Sequence, residues 1–465
     1  MTGPRVRFAP APTGYLHVGG AWLALYNWMF ARRHGGTLVL RFEDTDAARS
    51  TDEAINAMIR GLRWLGITHD EGPYRQTERR ARYLEVVDAL AAGGRLYYCA
   101  CAAEDLKART GREGAGYDGH CRDRRLVPGP GRALRFRTPD DGETVVPDVI
   151  RGDVRFAHAT LEDFVVVRSD GTPSFYLPNA VDDVDMGITH VIRGEDLLSS
   201  TPRVLLIREA MGGGPPPLYA HLPLIVDERR RKLSKRYHSV AVEEFREQGY
   251  LPDAMRNYLA LLGWSPRDGR EIMPIEDMVA QFDLADISPS PAYFDYQKLD
   301  HVNAEYIRAL PVETLVRDAL PWLETTDLWP RERFDLAKFR LLAPFVQERV
   351  RTLSEVPGLV DFLFLEAPAV DEASWEKAMR LPAAALLDDV IHGYDEVVWD
   401  AGALHGLTRE IAERRGLKLA KAQAPIRVAV TGRSVGPPLF ESLVALGRDE
   451  TRARLVRARQ RVAEP

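Results

Sequence analysis

The sequence predicts an α/β protein: a doubly wound, mostly parallel sheet with an insertion, followed by an all-helical C-terminal region. Three observations predict it. Strand-like runs alternate with helical segments through the first half, as in "TLVLRFED" (37–44) and "GITHVIRG" (187–194), and such alternation belongs to parallel sheets with crossover helices. Residues 95–185 break the rhythm with shorter strand-like pieces and loops rich in Gly, Asp and Arg, which reads as an inserted domain. From about residue 300 the apolar spacing turns helical: in "FRLLAPFVQERVRTL", Leu341, Leu342, Phe345, Val346, Val350 and Leu353 share one stripe.

The elements follow in order. "RFAPAPTGYLHVGG" (7–20) is a short apolar strand, a stiff proline turn and a His-x-Gly-Gly step into the helix "AWLALYNWMFARR". Gly19 and Gly20 let backbone approach a ligand, the helix start offers free N–H groups, and His17 adds a donor. Together these make an anion site; a purely structural turn is the competing reading. The second strand ends in Glu43, with Asp44 and Asp46 beyond it. The third ends in Arg193, followed by Glu195 and Asp196, and leads into a helix capped by Ser200 or Thr201 with Pro202 in its first turn. Ligands collect at the carboxyl ends of strands in an open parallel sheet. Arg7, Arg193 and Glu43 at one rim suit a small zwitterion, guanidinium for carboxylate and carboxylate for ammonium; ordinary strand-end salt bridges are the alternative. "GGGPPP" (212–217) is a connector within the second half of the sheet domain. In "ERRRKLSKR" (228–236), Lys232 and Lys235 flank Leu233 and Ser234, which suits a polyphosphate clamp or a solvated surface loop.

At 465 residues the chain has room for about three domains. Hydrophobic residues at 45% and charged residues at 28% describe a soluble globular protein. No run is long and apolar enough to span a membrane, and the start lacks a basic stretch followed by an apolar one, so a cytoplasmic protein without a membrane partner is expected. A net charge of −6 does not advertise nucleic-acid binding, which depends on local patches. Two patches are basic. Residues 105–137 carry nine Lys/Arg against four Asp/Glu, and "RDETRARLVRARQR" holds Arg448, Arg452, Arg454, Arg457, Arg459 and Arg461; an Arg-rich helix is either a nucleic-acid contact or a solvated face. Cys99, Cys101 and Cys121 are too few for a disulfide scaffold and point to metal or to chance.

Jointly the pieces are far more specific. "APAPTGYLHVGG", "RFEDTD", "YDGHCR", "VDDVDMGITHVIRGEDLLSSTP", "KLSKR", "NYLALLGW" and "FDYQKLDHVNAEYI" occur in this order. The set resembles the bacterial glutamyl-tRNA synthetases, a family of class I aminoacyl-tRNA synthetases, from residue 5 to about residue 455. "HVGG" looks like the family's HIGH motif and "KLSKR" like its KMSKS loop. The resemblance implies a Rossmann-type catalytic domain in two halves, 1–95 and 186–300, an inserted acceptor-binding domain at 96–185, and a helical anticodon-binding region at 301–465. It implies ATP- and Mg²⁺-dependent ligation of L-glutamate to its tRNA through a glutamyl-adenylate, by a monomer, with release of AMP and pyrophosphate. Pro12, Thr13, Gly14, His17, Gly19, Gly20, Lys232, Ser234 and Lys235 then bind ATP, with His17, Lys232 and Lys235 catalytic. Arg7 and Arg193 receive the glutamate carboxylates and Glu43 the ammonium.

Two positions depart from the family pattern. Ala11 stands where members usually have Ser, and Phe175 where they commonly have Tyr, although Asn179 matches an amide of the same pocket. Each missing hydroxyl removes a hydrogen bond worth about 0.5–1.5 kcal/mol, which raises the alternative of a paralogue with shifted amino-acid or tRNA specificity. A non-catalytic tRNA-binding protein is the further alternative, opposed by the intact His17, Lys232 and Lys235. Cys99, Cys101 and Cys121 match a Zn²⁺ site of many members. Its fourth ligand is either Asp123, where His is common, or Tyr117 in a Tyr-x-x-x-Cys arrangement. Arg349 aligns with an arginine that in related enzymes reads the third anticodon base and excludes glutamine tRNA.

Overall fold

The runs "RVRF", "TLVLRF" and "HVIRG" join aliphatic and aromatic residues to an arginine or two, and each forms a strand. Segments this apolar on both faces belong inside a parallel sheet. The computed structural model describes residues 3–46, 50–111, 116–233, 240–380 and 382–463. It divides into two units, Met1–Arg246 with Pro252–Leu299, and Glu247–Leu251 with Asp300–Pro465.

In the first unit β1 (Arg5–Phe8), β2 (Thr37–Phe42) and β3 (Glu71–Arg75) form a parallel sheet in the order β1-β2-β3. Further along run β4 (Leu96–Cys99), β5 (Ala133–Phe136), β6 (Glu143–Asp148), β7 (Gly152–Ala157), β8 (Val165–Val167), β9 (His190–Gly194) and β10 (Leu218–Leu222). β10 pairs in parallel with β9 on one side and β6 on the other, and β6 turns back antiparallel onto β7. Thr189 N–H donates to Arg5 O at 3.0 Å and Arg5 N–H to Thr189 Oγ1 at 2.8 Å, which seats β1 against the start of β9. The strand order reverses there, and the crevice at the carboxyl ends of two such strands is where an open α/β sheet holds its ligand.

The segment expected as an insertion does not stay apart. β4, β5 and β8 form their own antiparallel sheet, but β6 and β7 join the parallel one. The helix Thr201–Ala210 follows β9 with a proline in its first turn, as expected, while its N-cap Ser200 makes no side-chain cap.

The second unit is helical, with no strand among its described residues. The predicted stripe is corrected in part. Phe339, Leu342, Ala343 and Val346 are the buried face of the helix Leu336–Gln347, whereas Leu341 is 55% exposed, because the helix turns it to the opposite side. The arginines of the last helix, Arg448–Ala463, neither stand bare nor form a simple solvated face. Arg452 pairs with Asp395, Arg459 with Asp388 and Arg461 with Glu372. Arg454 is buried and donates to Val430 O and Leu365 O. Among the described residues no helix is long and apolar enough to cross a membrane.

Candidate active site

Glu43 N–H donates to Pro10 O at 3.0 Å, so the proline turn after β1 is tied to the end of β2. Past that turn, Gly14 adopts φ 146°, an angle that side chains disfavour. His17 caps the helix Val18–Arg33: its Nδ1 accepts the Gly19 N–H at 3.0 Å. An accepting Nδ1 leaves the neutral ring's proton on Nε2. Val18 N–H donates to Val240 O at 2.8 Å. Two of the amides expected to face an anion are therefore used within the chain. Gly20 serves packing, since a Cβ there would lie 3.3 Å from Leu16 Cδ1.

His17, Gly19, Trp22 and Leu23 from this helix line a cleft of about 200 Å³ with Gly194, Asp196, the segment Pro223, Leu224 and Ile225 after β10, and Lys232 and Leu233. The walls are apolar, and the polar groups are an imidazole, a carboxylate and an ammonium. Lys232 Nζ pairs with Asp196 Oδ2 at 3.0 Å. Pro12, Thr13, Gly14 and Gly20 are not in this lining. Ser234 and Lys235 lie outside the described residues.

The arginines of β1, β2 and β9 gather with the acids of the helix Tyr176–Asp185. Arg7 Nε is 3.3 Å from Asp183 Oδ1, and Arg41 Nη1 lies 2.8 Å from the same oxygen. Arg41 Nη2 lies 3.5 Å from Glu43 Oε1, which also accepts from Asn179 Nδ2 at 2.9 Å. Arg7 is thus partly a strand-end salt bridge. Burial pushes the Glu43 carboxyl up against the pull of Arg41 and Arg7. Burial acts the same way on Asp183, but Arg7 and Arg41 win and hold it below the usual carboxylate range.

Arg193 differs from the other two. It is 4% exposed, and no carboxylate lies within ion-pair distance of it among the described residues. Its donors go to His221 Nε2 at 3.2 Å, Thr201 Oγ1 at 2.7 Å and Leu197 O at 3.4 Å. Burial leads in lowering its pKa, and the nearby Arg7 adds to it. A desolvated cation without a counter-ion is an open site for an anion.

Ala11 is exposed and Phe175 half-buried. The neighbouring Tyr176 is half-buried, its ring packed edge-on against Phe164 and under Arg203. Asp44, expected at the ligand rim, instead accepts from Thr77 N–H and Oγ1 at 2.9 and 2.7 Å.

The sulfurs of Cys99, Cys101 and Cys121 lie within 4.8 Å of one another. Tyr117 Oη is 3.6 Å from Cys99 Sγ and accepts the Cys121 N–H at 2.7 Å. Asp123 is not brought to the cluster: its side chain is 83% exposed and pairs with Arg137 at 2.9 Å. In the second unit Arg349 is exposed, with Nη1 donating to Phe345 O, and its charge adds to burial in lowering the pKa of Arg427.

Sequence reasoning missed Arg41, Asp182, Asp183, Asp148 and His221. The run "AVDDVD" carried the signal for two of them, since adjacent acids on an otherwise apolar helix face call for cations.

Comparison with known proteins gives the family. Residues 4–301 match the model of the "tRNA synthetases class I (E and Q), catalytic domain" and residues 314–459 that of an "Anticodon binding domain". The chain is 55% identical over 461 residues to a glutamate–tRNA ligase of Frankia casuarinae, covering 98% of both chains. It is 52% identical to one of Thermobifida fusca, covering 97% of this chain and 96% of that one. A crystal structure of a glutamate tRNA ligase from Elizabethkingia meningosepticum, in complex with its amino acid, superposes with a TM-score of 0.88 at 30% identity, covering 98% and 99% of the two chains.

Proposed function

The chain belongs to the class I tRNA synthetases of the glutamate and glutamine group, and from that premise we propose that it ligates L-glutamate to its tRNA at the site just described. The observation that carries the reading is Arg193, a buried cation with no ion pair, close enough to Glu43 to feel its charge and next in the chain to Gly194 of the His17–Lys232 cleft. Arg193 and the remaining donors of Arg7 receive the two substrate carboxylates, and Glu43, oriented by Asn179, takes the ammonium. The apolar cleft takes the ATP base, with its phosphates toward His17 Nε2 and past Gly19, whose lack of a side chain rather than its engaged amide lets them approach.

A glutamate carboxylate oxygen attacks the α-phosphorus. The new P–O bond forms as the bond to the bridging oxygen breaks, and pyrophosphate leaves. A terminal ribose hydroxyl of the tRNA then attacks the carbonyl carbon of the adenylate and AMP leaves. Such chemistry needs aligned reactants and cations rather than a protein nucleophile. Lys235, helped by Lys232, steadies the departing pyrophosphate, a charge that the Mg²⁺ accompanying ATP would share. Cys99, Cys101 and Cys121, with Tyr117 as fourth donor, fit one Zn²⁺; its contribution is to staple the loop-rich segment. Segment 96–185 contacts the tRNA acceptor end and the helical unit the anticodon, where Arg349 discriminates against glutamine tRNA. A cytoplasmic monomer completes the reading.

The test is aminoacylation of separate glutamate and glutamine tRNA transcripts by the purified chain. Charging of the glutamate tRNA alone is expected. Charging of both removes the role of Arg349, and charging of neither removes the reading and revives the alternatives raised by Ala11 and Phe175.

A further inference from the structure

Arg193 does not hold its own position. Its Nε donates to His221 Nε2, and Thr201 Oγ1, which accepts from Arg193 Nη2, lies 3.2 Å from the same nitrogen. His221 is fully buried on β10, its ring stacked on Tyr219. On the other side of the imidazole, Nδ1 lies 2.6 Å from Asp148 Oδ2, which also accepts the His221 backbone N–H at 3.1 Å. One proton arrangement satisfies the chain: a carboxylate at Asp148, the imidazole proton on Nδ1, and an accepting Nε2 facing the guanidinium.

We propose that Asp148 and His221 are positioning residues for glutamate: Asp148 fixes the His221 tautomer, and His221 Nε2 fixes the guanidinium plane of Arg193 that receives a substrate carboxylate. The proposal rests on the reading of Arg193 given above. Neither residue touches substrate. Without the Nε2 acceptor the guanidinium is held only through Nη2, by Thr201 Oγ1 and Leu197 O, so its Nε edge is free to swing and part of the cost of ordering it moves to substrate binding. Asp148 lies at the end of β6, a strand from the segment expected as an insertion, so this device exists because β6 joins the parallel sheet.

A proton on Nε2 would face the Arg193 Nε–H and undo the contact. The charged and titratable groups facing His221 are Asp148 on β6, Arg193 on β9, Tyr219 on its own strand, and Arg151 after β6, whose Nε donates to His221 O at 3.3 Å and whose Nη2 pairs with Glu195. Burial leads in holding His221 below the ordinary histidine value; Asp148 pulls the other way and Arg193 adds to burial. The ring is therefore neutral at pH 7.

The test is steady-state aminoacylation by the full chain, varying glutamate, ATP and tRNA in turn, for the parent, His221→Asn and His221→Gln. Asparagine keeps a donor near Nδ1 for Asp148 but offers Arg193 nothing; glutamine reaches the Nε2 position with an acceptor. His221→Asn is expected to raise the glutamate KM about ten- to a hundredfold, with the ATP and tRNA KM within about twofold, and His221→Gln to restore most of the loss. In the parent the glutamate KM also climbs as pH falls below the ordinary histidine range, and His221→Gln lacks that component. Equal glutamate KM in all three proteins overturns the proposal, as does a loss shared by all three substrates in both variants. If His221→Asn does not fold, an identical pH profile in the parent and His221→Gln overturns it. A parent that charges no tRNA with glutamate defeats the functional reading instead.

Discussion

Replacing Arg193 by methionine should separate binding from stability. Methionine fills a similar volume without the charge, its chain ending about where the guanidinium begins. Three hydrogen bonds are lost, and the single Thr201 hydroxyl proton, 3.2 Å from His221 Nε2 and 3.1 Å from Leu197 O, can then serve only one of those two acceptors, which costs about 1–3 kcal/mol for the other. The folded parent carries a desolvated cation with no ion pair, and exchanging buried ionic groups for apolar ones of similar volume is neutral or stabilising by about 1–4 kcal/mol. The two effects are of similar size, so the Tm of Arg193→Met is expected to hold to within a few degrees. Glutamate binding loses a desolvated, charge-assisted contact. Removing one member of such a pair costs about 3–5 kcal/mol, or roughly two to nearly four decades in kcat/KM for glutamate. Aminoacylation kinetics and a thermal scan on the same preparations read both quantities. A Tm lower by more than about 5 °C with glutamate kcat/KM within about tenfold of the parent would refute the reasoning, because Arg193 would then be a structural residue.

Three further outcomes are expected. Lys235→Ala should cut kcat much more than it raises the glutamate KM, since its charge meets the departing pyrophosphate; comparable losses in both contradict that role. Protein purified without chelators should hold about one zinc per chain, lost in Cys121→Ser, weakened in Tyr117→Phe and unchanged in Asp123→Ala. Metal analysis showing loss in Asp123→Ala and full retention in Tyr117→Phe would reverse the fourth ligand. Burial raises the Glu43 pKa, and its carboxylate is the form that takes an ammonium, so this contribution is complete above the raised value and fades as pH falls through it. Glutamate KM should accordingly rise at a pH above the ordinary glutamate range, and Glu43→Gln should lack that rise; an unaltered profile removes Glu43 from the ammonium site.

What the sequence made legible were the strand ends. Arg7, Glu43 and Arg193 stand where short apolar runs meet turns, and the open-sheet rule places such residues at a ligand. Arg41 escaped because β2 is buried along most of its length, so alternation gives no hint of which side an interior arginine faces. Asp148 and His221 escaped for a different reason. They are 73 positions apart, and nothing local says that β6 leaves its neighbours β5 and β8 for β10. The helix start at His17 was legible as an anion site with open amides but not as a partly closed one, because the acceptor for Val18 N–H, Val240 O, comes from 222 positions away. The Arg-rich last helix reads as a surface in isolation; only the packed unit supplies Asp395, Asp388 and Glu372.

Charge counting across the pocket then gives a physical reason for the choice of amino acid. Asp182 is held by Arg79 at 2.7 Å, Gln76 at 3.1 Å and Tyr83 at 2.9 Å, closer than Arg41 at 3.6 Å. Setting that group aside, together with Asp148, whose charge reaches Arg193 only through the neutral His221 ring, Arg7, Arg41 and Arg193 face Glu43 and Asp183, so three guanidinium charges meet two carboxylates in the pocket and one positive charge is left over. Glutamate carries two carboxylates and one ammonium and closes the balance. Glutamine is neutral overall and leaves the surplus in a desolvated place, where an uncompensated charge costs far more than in water. Discrimination between the two then comes from the unbalanced cation as much as from any hydroxyl, and the absence of hydroxyls at Ala11 and Phe175 matters correspondingly less. On this argument Arg193→Met, which removes the surplus, should narrow the preference for glutamate over glutamine as well as weaken glutamate itself. A variant that loses both amino acids in equal proportion would show that charge balance does not set the choice.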